Sequence, residues 1–494
     1  MLTIDEIKTF LDEDNASPLK MRAAEGQRYY EGKHDILEYR MFYWNADGNL
    51  VEDKTRSNVK IPHPYFTELV DQGTQFTLSG SNKGIVNSDD EALQKELDRY
   101  FNKNKRFLTE LSETITGMQA KGFDYMYAYK GKNDMLTFEN ADCLGVVEVE
   151  GRFTEDKKDN RIYKYVDRID REGRTQWKIL VVDDENTYYY KQTDNGEIVV
   201  DDEAELNPKP HATYMDKKGK LYKKTDYKLL PFFRLDFNKK KKSLLCAVKA
   251  LIDDYDIHAS SLTNNLLDFD TPLHVVKGYE GDNLTELQQN LKTKKIVSVD
   301  DEGGIEVHTV DIPYQARKEK LELDEKGIYH FGMGLNMYGL KDTNATTNIA
   351  IKAAYSLLEL RCTKIIDQVE LFMQELVEPV LAEINEKGGT DYTMDNVYFN
   401  FEPEIMTNAQ ENAQIELTNA QRKQAEITTL LNLATHLDNE TLMKNICDIL
   451  EIDYEEIKSK LPDPDEAGNA VADAQGALNS VPEEPEEGGV IEKA

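Results

Sequence analysis

Along the first 121 residues the apolar positions recur at three- and four-residue spacing, the period of a helix face. Ile4, Ile7, Phe10 and Leu11 form one such row behind Asp5 and Glu6, and a second helix closes over residues 28–34. After a polar loop containing Asp47-Gly48-Asn49, Pro62 and Pro64 hold the backbone extended ahead of a helix that turns Phe66, Leu69, Val70 and Phe76 inward. Two further helices are predicted over 89–121, with Leu93, Leu97, Tyr100, Phe101, Leu108, Leu111 and Ile115 as their apolar positions. From about 122 to 236 the period falls towards two. Residues 126–129, 162–166, 177–182, 187–190 and 198–200 are aromatic or β-branched runs, and 230–235 adds a further extended piece. Arg171-Glu172-Gly173 and Asp194-Asn195-Gly196 supply turns between them, as an antiparallel region requires.

Helical spacing returns over 243–268 and 314–331. Between them a section of about 271–311 carries two strand-like pieces, 273–277 and 295–299. The stretch 332–344 holds Gly332, Gly334 and Gly339 and is too glycine-rich to prolong a helix. It opens onto the longest helical pattern in the chain, in which Ile351, Ala354, Leu358, Cys362, Ile365, Val369, Phe372, Leu376, Val380 and Ile384 step by three and four. That run, 348–385, spans on the order of 50 Å at 1.5 Å per residue, with a kink expected at Pro379. Residues 397–401 read as a strand. Thr407 and Gln410 form a capping box ahead of a helix reaching Thr435, and a shorter helical stretch ends near Leu461. From Pro462 onward nine acidic residues face Lys493 alone, so the tail is expected to be disordered.

Composition narrows the class. With 494 residues, 39% hydrophobic and 9% aromatic, the chain can build real cores in roughly three folded units. No stretch reaches the roughly 18 apolar residues of a membrane span, and Met1-Leu2-Thr3-Ile4-Asp5-Glu6 lacks the basic opening of a signal peptide. Cys143, Cys246, Cys362 and Cys447 lie far apart with no CxxC pair, which argues for reduced thiols, a cytosolic folding compartment and no cysteine metal site. Sixty Lys and Arg against 93 Asp and Glu leave a net charge of −33, which excludes tight wrapping of nucleic acid.

Catalytic signatures are missing: there is no GxxxxGK[ST], HExxH, GxSxG or strand-borne GxGxxG, and Gly332-x-Gly334 lacks its third glycine. No cofactor is expected. The eight histidines are scattered, and His258 and His330 read as surface or locally bonded. Asp183-Asp184, Asp201-Asp202, Asp253-Asp254 and Asp300-Asp301 have the chemistry for Mg²⁺ or for glycosidase acid–base work. Among 93 carboxylates such pairs arise by chance, and a solvated face is the default. Basic residues are scarcer. Lys239-Lys240-Lys241-Lys242 precedes the 243–268 helix, Lys318, Lys320 and Lys326 lie on the 314–331 helix, and Lys341 sits in the glycine-rich stretch. Such residues can make weak, spaced phosphate contacts. Two helices flanking a small strand-bearing insert enclose a substrate poorly, and are suited to packing beside copies of themselves.

The chain resembles the portal proteins of tailed bacteriophages, in particular the branch of long-tailed phages. The resemblance rests on Tyr29-Tyr30-Glu31-Gly32-Lys33-His34-Asp35-Ile36, on Asn58-Val59-Lys60-Ile61-Pro62-His63 with Leu69-Val70-Asp71-Gln72, and on Leu78-Ser79-Gly80. It is most specific over Leu230-Pro231-Phe232, then Val248 through Asp256 and Ser260 through Phe269, and covers about residues 25–385. Thr347-Asn348-Ile349-Ala350-Ile351-Lys352 departs from the Ser-Gly-Asn-Ala-Leu-Lys type of opening that many relatives place at the long helix, lacking the glycine.

The resemblance implies an α+β portal-type fold, mainly α-helical. Its parts would be a β-rich wing (1–242), stem helices (243–270 and 312–331), a small α/β clip (271–311) and a tunnel loop (332–347). A long helix and strand (348–403) would return to the wing, followed by a helical crown (404–461) and the acidic tail (462–494). It implies a ring, usually a dodecamer, at one capsid vertex of the virion, through which double-stranded DNA is packaged and ejected. It implies no enzymatic activity and no membrane partner. Its partners would be the terminase large subunit, a head–tail connector, and the major capsid and scaffolding proteins. Lys341, with Asn336, Asp342, Thr343 and Asn344, would face DNA in the tunnel loop, Lys318, Lys320 and Lys326 would line the stem, and Lys277, Tyr279, Glu280, Lys294 and Lys295 would mark the docking surface of the clip. Two other readings stay open on the residues alone: a metal-dependent hydrolase using acidic clusters of the β-rich region, and a structural adaptor or scaffold without a DNA channel.

Overall fold

The computed structural model describes residues 2–130, 135–154, 157–169, 172–204, 206–211, 213–215, 221–223, 230–269, 273–277, 304–308, 313–336, 348–403, 409–433, 438–450, 452 and 454. The chain divides into two compact units, Met1–Met406 and Thr407–Ala494.

Helix α1 (Ile4–Asn15) starts where its signals place it, because Thr3 and Glu6 cap each other: Glu6 N donates to Thr3 Oγ1 at 3.3 Å and Thr3 N to Glu6 Oε2 at 2.7 Å. Helix α2 (Pro18–Tyr30) follows a Ser17 cap and a proline pre-set for the first turn. The polar loop expected next is in fact a hairpin, β1 (Phe42–Trp44) paired with β2 (Leu50–Glu52), turning at Gly48 with φ +76°. Then come α3 (Tyr65–Leu78), β3 (Val86–Asn87), α4 (Glu91–Leu97) and α5 (Lys105–Lys121). Gly26 lets α2 and α5 touch, since a Cβ there would stand 1.9 Å from the Ala120 carbonyl oxygen.

The β-rich region contains β4 (Phe123–Lys130), β5 (Leu136–Ala141), β6 (Val146–Val149), β7 (Asn160–Ile169), β8 (Thr175–Val182), β9 (Asn186–Gln192), β10 (Ile198–Val200), β11 (Lys209–Pro210), β12 (Thr213–Met215), β13 (Leu221–Lys223) and β14 (Phe232–Asp236). Strands β6 to β10 form an antiparallel meander with β11 added beside β9, and β14, β4 and β5 form a second sheet. Pairing Ile162 with Val181 turns the apolar faces of β7 and β8 together towards Ile7 and Leu11 of α1.

Helix α6 (Leu245–Phe269) occupies the predicted 243–268 span and α7 (Tyr314–Phe331) the predicted 314–331 span. Between them β15 (Leu273–Lys277) pairs with β16 (Gly304–His308). The first is the expected 273–277 piece, β16 is not among the strands expected from sequence, and the 295–299 piece lies outside the described residues. Helix α8 (Asn348–Gly388) runs 41 residues and continues past Pro379, and β17 (Tyr398–Phe399) pairs with β3. The second unit holds α9 (Ala409–Asn432) and α10 (Asn439–Leu450). Thr407, the residues near Leu461 and the acidic tail lie outside the described residues.

In the first unit α8 is the spine of the largest core. Leu358, Ile365, Val369, Phe372, Leu376 and Val380 pack with Leu97, Phe101, Phe107 and Leu111 and with Met126, Phe138 and Phe233 of the small sheet. A second core joins Tyr29, Phe66, Leu69, Val70, Leu245, Val248, Ile252, Ile328 and Tyr329, fixing the roots of α6 and α7 on α2 and α3. Towards the other ends of this helix pair the apolar pattern no longer means burial: Leu266, Leu267 and Leu323 are exposed.

Candidate functional site

Helices α6 and α7 run antiparallel, with Leu251 against Gly327, Asp254 against Lys320 and, with the Asn265 amide oriented to satisfy both groups, its oxygen accepting from Arg317 at 2.9 and 2.6 Å. Tyr65 of α3 wedges edge-on between Tyr255 and Tyr329, at 5.0 and 5.9 Å between ring centroids.

A polar row gives α6 its second attachment. Asp256, Ser260, Asn264 and Asp268 recur every four residues, about 6.0 Å along a helix, close to the roughly 6.6 Å that two extended residues span. Residues 57–63 lie along this row as an extended strap. Ser57 N donates to Asp268 Oδ1 (3.1 Å), Val59 N to Asn264 Oδ1 (2.7 Å), Ile61 N to Ser260 Oγ (3.1 Å) and His63 N to Asp256 Oδ1 (2.9 Å). Pro62 and Pro64 keep the strap extended, as the sequence predicts.

Asp256 is the anchor of the row. Its fully buried carboxylate also accepts from His34 Nδ1 at 2.7 Å and His63 Nδ1 at 2.8 Å, so both imidazoles carry their proton on Nδ1. Burial pushes this carboxyl up in pKa, but the hydrogen bonds from His34 and His63 outweigh it and hold it below the usual carboxylate range. The ring of Tyr29 stacks on His34 at 4.7 Å, and its hydroxyl donates to Asp253. Lys249 bridges Asp253 (2.8 Å) and Asp35 (2.6 Å), and the Asp35 carboxyl falls to about 2 because these bonds and that from Arg28 overcome its desolvation. The histidines that matter are therefore His34 and His63. Scattered spacing hid them, because 222 positions separate His34 from Asp256.

The root of the glycine-rich loop is clamped as firmly. Gln72 bonds Leu335 twice, accepting from its N–H and donating to its carbonyl, both at 2.9 Å. Arg361 of α8, 3% exposed and without a carboxylate partner among the described residues, donates to the Gly332 carbonyl at 2.9 Å and the Leu69 carbonyl at 2.8 Å. Tyr329 donates to Glu68 at 2.7 Å. The end of α7, the middle of α3 and the fourth turn of α8 are thereby one unit at the root of the glycine-rich stretch.

Of the residues singled out from sequence, Asn336 sits at this root and donates to Glu325 at 3.2 Å. Lys341, Asp342, Thr343 and Asn344 lie outside the described residues, as do Tyr279, Glu280, Lys294 and Lys295. Lys277 is exposed on β15 and pairs with Glu306 at 2.6 Å. Lys320 is held by Asp254 and buried Asp324, and Lys318 stands 3.9 Å from Glu322. Lys326 is exposed with no ion pair among the described residues. In the run before α6, Lys241 is half-buried over the Phe123 ring at 5.1 Å, and burial, reinforced by Arg234, pulls its pKa down. Lys239, Lys240 and Lys242 are exposed.

Two members of the acidic pairs are tied into the fold. Asp183 and Asp201 are buried rather than solvated: Asp183 accepts from the backbone N–H groups of Glu185 and Asn186, and Asp201 pairs with Lys178 at 3.2 Å. Asp300-Asp301 lies outside the described residues. Among the described residues Asp124, Asp142 and Cys143 are close enough to hold a metal ion, but the Lys121 ammonium sits between the two carboxylates at 2.9 and 2.8 Å. No helix is long and apolar enough to cross a membrane among the described residues.

A model of the family described as phage portal protein, SPP1 Gp6-like, matches residues 13–459. The chain belongs to this portal family. The portal protein of Bacillus phage SPP1 is 27% identical over 373 residues, covering 72% of this chain and 68% of its own. The portal protein of Clostridium phage phiCD119 is 22% identical over 424 residues, covering 84% and 89%. The matched span takes in the strap, the helix pair α6–α7, the loop root and all of α8, so the portal-family match extends over every element of the site described above. Neither portal relative carries an enzyme's name.

Proposed function

We propose that copies of this chain assemble into a ring, a dodecamer, at one capsid vertex, and that double-stranded DNA passes through its axis during packaging and ejection. The observation that carries this reading is the family match across the helix pair and the clamped loop root. Helices α6 and α7 serve as the stem, the β15–β16 module belongs to the clip that docks the terminase large subunit and later the head–tail connector, and residues 332–347 serve as the tunnel loop. Residues 1–242 form the wing and 404–461 the crown, in contact with capsid and scaffolding proteins, and the assembled particle is part of the virion.

The electrostatics favour a conduit over a clamp. Each subunit carries −33, and on the stem Lys318 and Lys320 are already engaged by carboxylates. A bore of this kind offers DNA few cations, so grip is weak and sliding is cheap in both directions. Lys341 is the residue assigned to transient phosphate contact. Procapsids assembled with Lys341→Ala should incorporate rings normally and package or retain less DNA in a terminase-driven reaction. Loss of ring assembly instead, or unaltered packaging, removes Lys341 from the bore.

A further inference from the structure

Residues 37–61 carry a cluster of exposed large apolar side chains, Leu37, Tyr39, Phe42, Tyr43, Trp44, Leu50, Val51, Val59 and Ile61, most of it ahead of the part of the strap bonded to α6. The hairpin presents apolar side chains on both faces. Tyr43 and Val51 are cross-strand partners on one face; Phe42, Trp44 and Leu50 project from the other. Trp44 is 71% exposed, Leu50 55% and Phe42 53%. On the Phe42–Trp44–Leu50 face the three side chains leave on the order of 400 Å² open, within the range of the largest patch a monomer shows, and Tyr43 and Val51 leave a smaller apolar area on the opposite face. A two-stranded ribbon alone in water is marginal, and one that is apolar on both faces has the pattern of a strand pair covered on both sides.

The outer side of the strap is partly flanked by residues 37–39, where the side chains of Asn58 and Lys60 donate to the Tyr39 and Leu37 carbonyls at 3.4 and 2.8 Å, but its backbone edge is left open. Its odd-numbered residues 57, 59, 61 and 63 donate towards α6. The backbone N–H groups of Asn58 and Lys60 face the other way and meet no acceptor among the described residues. An extended edge of this kind is a template for another chain.

Charge selects the occupant. Residues 37–61 carry Arg40, Lys54, Arg56 and Lys60 against Glu38, Asp47, Glu52 and Asp53, so the stretch is neutral within a chain of net −33. Two such chains repel over most of their surfaces, and a neutral apolar segment is where they can approach. The Phe42–Trp44–Leu50 face alone supplies about half of the roughly 800 Å² that one partner contributes to a standard stable interface. We infer that the hairpin Phe42–Glu52, with the outer edge of the strap, docks onto a second copy of this chain and forms part of the contact between neighbouring subunits. In a ring this contact is heterologous, hairpin of one subunit to a different face of the next. The inference rests on the ring reading above.

The test is photo-crosslinking of purified full-length protein in its assembled form, with Trp44→p-benzoylphenylalanine. Irradiation should give covalent dimers and higher ladders of the same chain, with residue 44 of one copy joined to a single patch of another. Cross-links confined within one chain, or appearing only when capsid proteins are added, overturn the inference. In parallel, Phe42→Ser with Trp44→Ser should keep the wild-type circular dichroism and raise the concentration at which assemblies dissociate in sedimentation velocity by at least about tenfold. Unchanged dissociation in a folded double variant overturns it too; if that variant fails to fold, the cross-linking arm decides. If the wild-type chain forms no oligomer, the ring reading falls first, and this inference with it.

Discussion

Replacing Asp256 with alanine should be among the most damaging single changes that leave the apolar cores intact. The buried carboxylate accepts three hydrogen bonds, from His34 Nδ1, His63 Nδ1 and His63 N, at 2.7, 2.8 and 2.9 Å. Alanine removes both acceptor oxygens and with them all three hydrogen bonds. His34 is 1% exposed and its Nε2 has no partner among the described residues, so its ring would be left without any hydrogen bond. Stranding a buried donor costs about 1–3 kcal/mol, and removing one member of a buried charged network about 3–5 kcal/mol. We expect Asp256→Ala to destabilise the first unit by about 4 kcal/mol, and Asp256→Asn by about half as much because one amide oxygen can still accept. The pH dependence has a defined sign. A carboxyl held below its unfolded value of about 3.9 contributes stability that is fully present above that pH and is lost as pH falls through the lower folded value. Thermal melts of wild type and both variants between pH 3 and 7, about 2–4 °C per kcal/mol for a sizeable domain, provide the measurement. Equal stability of Asp256→Ala and wild type at neutral pH would refute the assignment of Asp256 as the anchor of α6.

Arg361→Met removes donors from the Gly332 and Leu69 carbonyls, so amide exchange at Gly334 and Leu335 should quicken and stability fall by about 1–3 kcal/mol; unchanged exchange would mean that Gln72 alone holds the loop root. Gly26→Ala forces α2 from α5 against the Ala120 carbonyl and should cost about 3 kcal/mol in urea unfolding, whereas a cost under about 0.5 kcal/mol would contradict the close approach. Lys320→Met leaves buried Asp324 without its ion pair and should loosen the α6–α7 contact by about 1 kcal/mol after allowing for the lysine's partial exposure. Lys320 itself lies above its usual pKa, because Asp254 and Asp324 outweigh its desolvation. Its contribution is therefore complete below about pH 10.4 and lost as pH rises beyond it. Equal melting of wild type and Lys320→Met at pH 8 would count against this pairing.

Helical period and turn residues were enough to place α6, α7 and α8 within a few positions, because each carries a long apolar row that meets a core. Two short elements escaped for local reasons. Asp47-Gly48 between Phe42-Tyr43-Trp44 and Leu50-Val51 is a hairpin signal, but the polar turn residues dominated the reading of a short segment. Ile305 and Val307 alternate only after a glycine pair, too short a pattern to mark 304–308 as a strand; residues 295–299 lie outside the described residues. The row Asp256, Ser260, Asn264 and Asp268 is visible as a four-residue polar period, but what it binds is a strap some 200 residues away, and no local pattern encodes that distance. Arg361 is hidden in the same way. A single cation in an apolar row reads as an interruption until the carbonyls of Leu69 and Gly332 are brought to it. The acidic pairs misled in the opposite direction, since burial gave Asp183 and Asp201 structural work that composition assigned to solvent.

The most direct test of the account is cryo-electron microscopy of the purified full-length chain. Closed annular particles of identical subunits, with α6 and α7 around an open axial bore wide enough for a DNA duplex, are the predicted result. Monomers, dimers or assemblies without an axial opening under all conditions would contradict it.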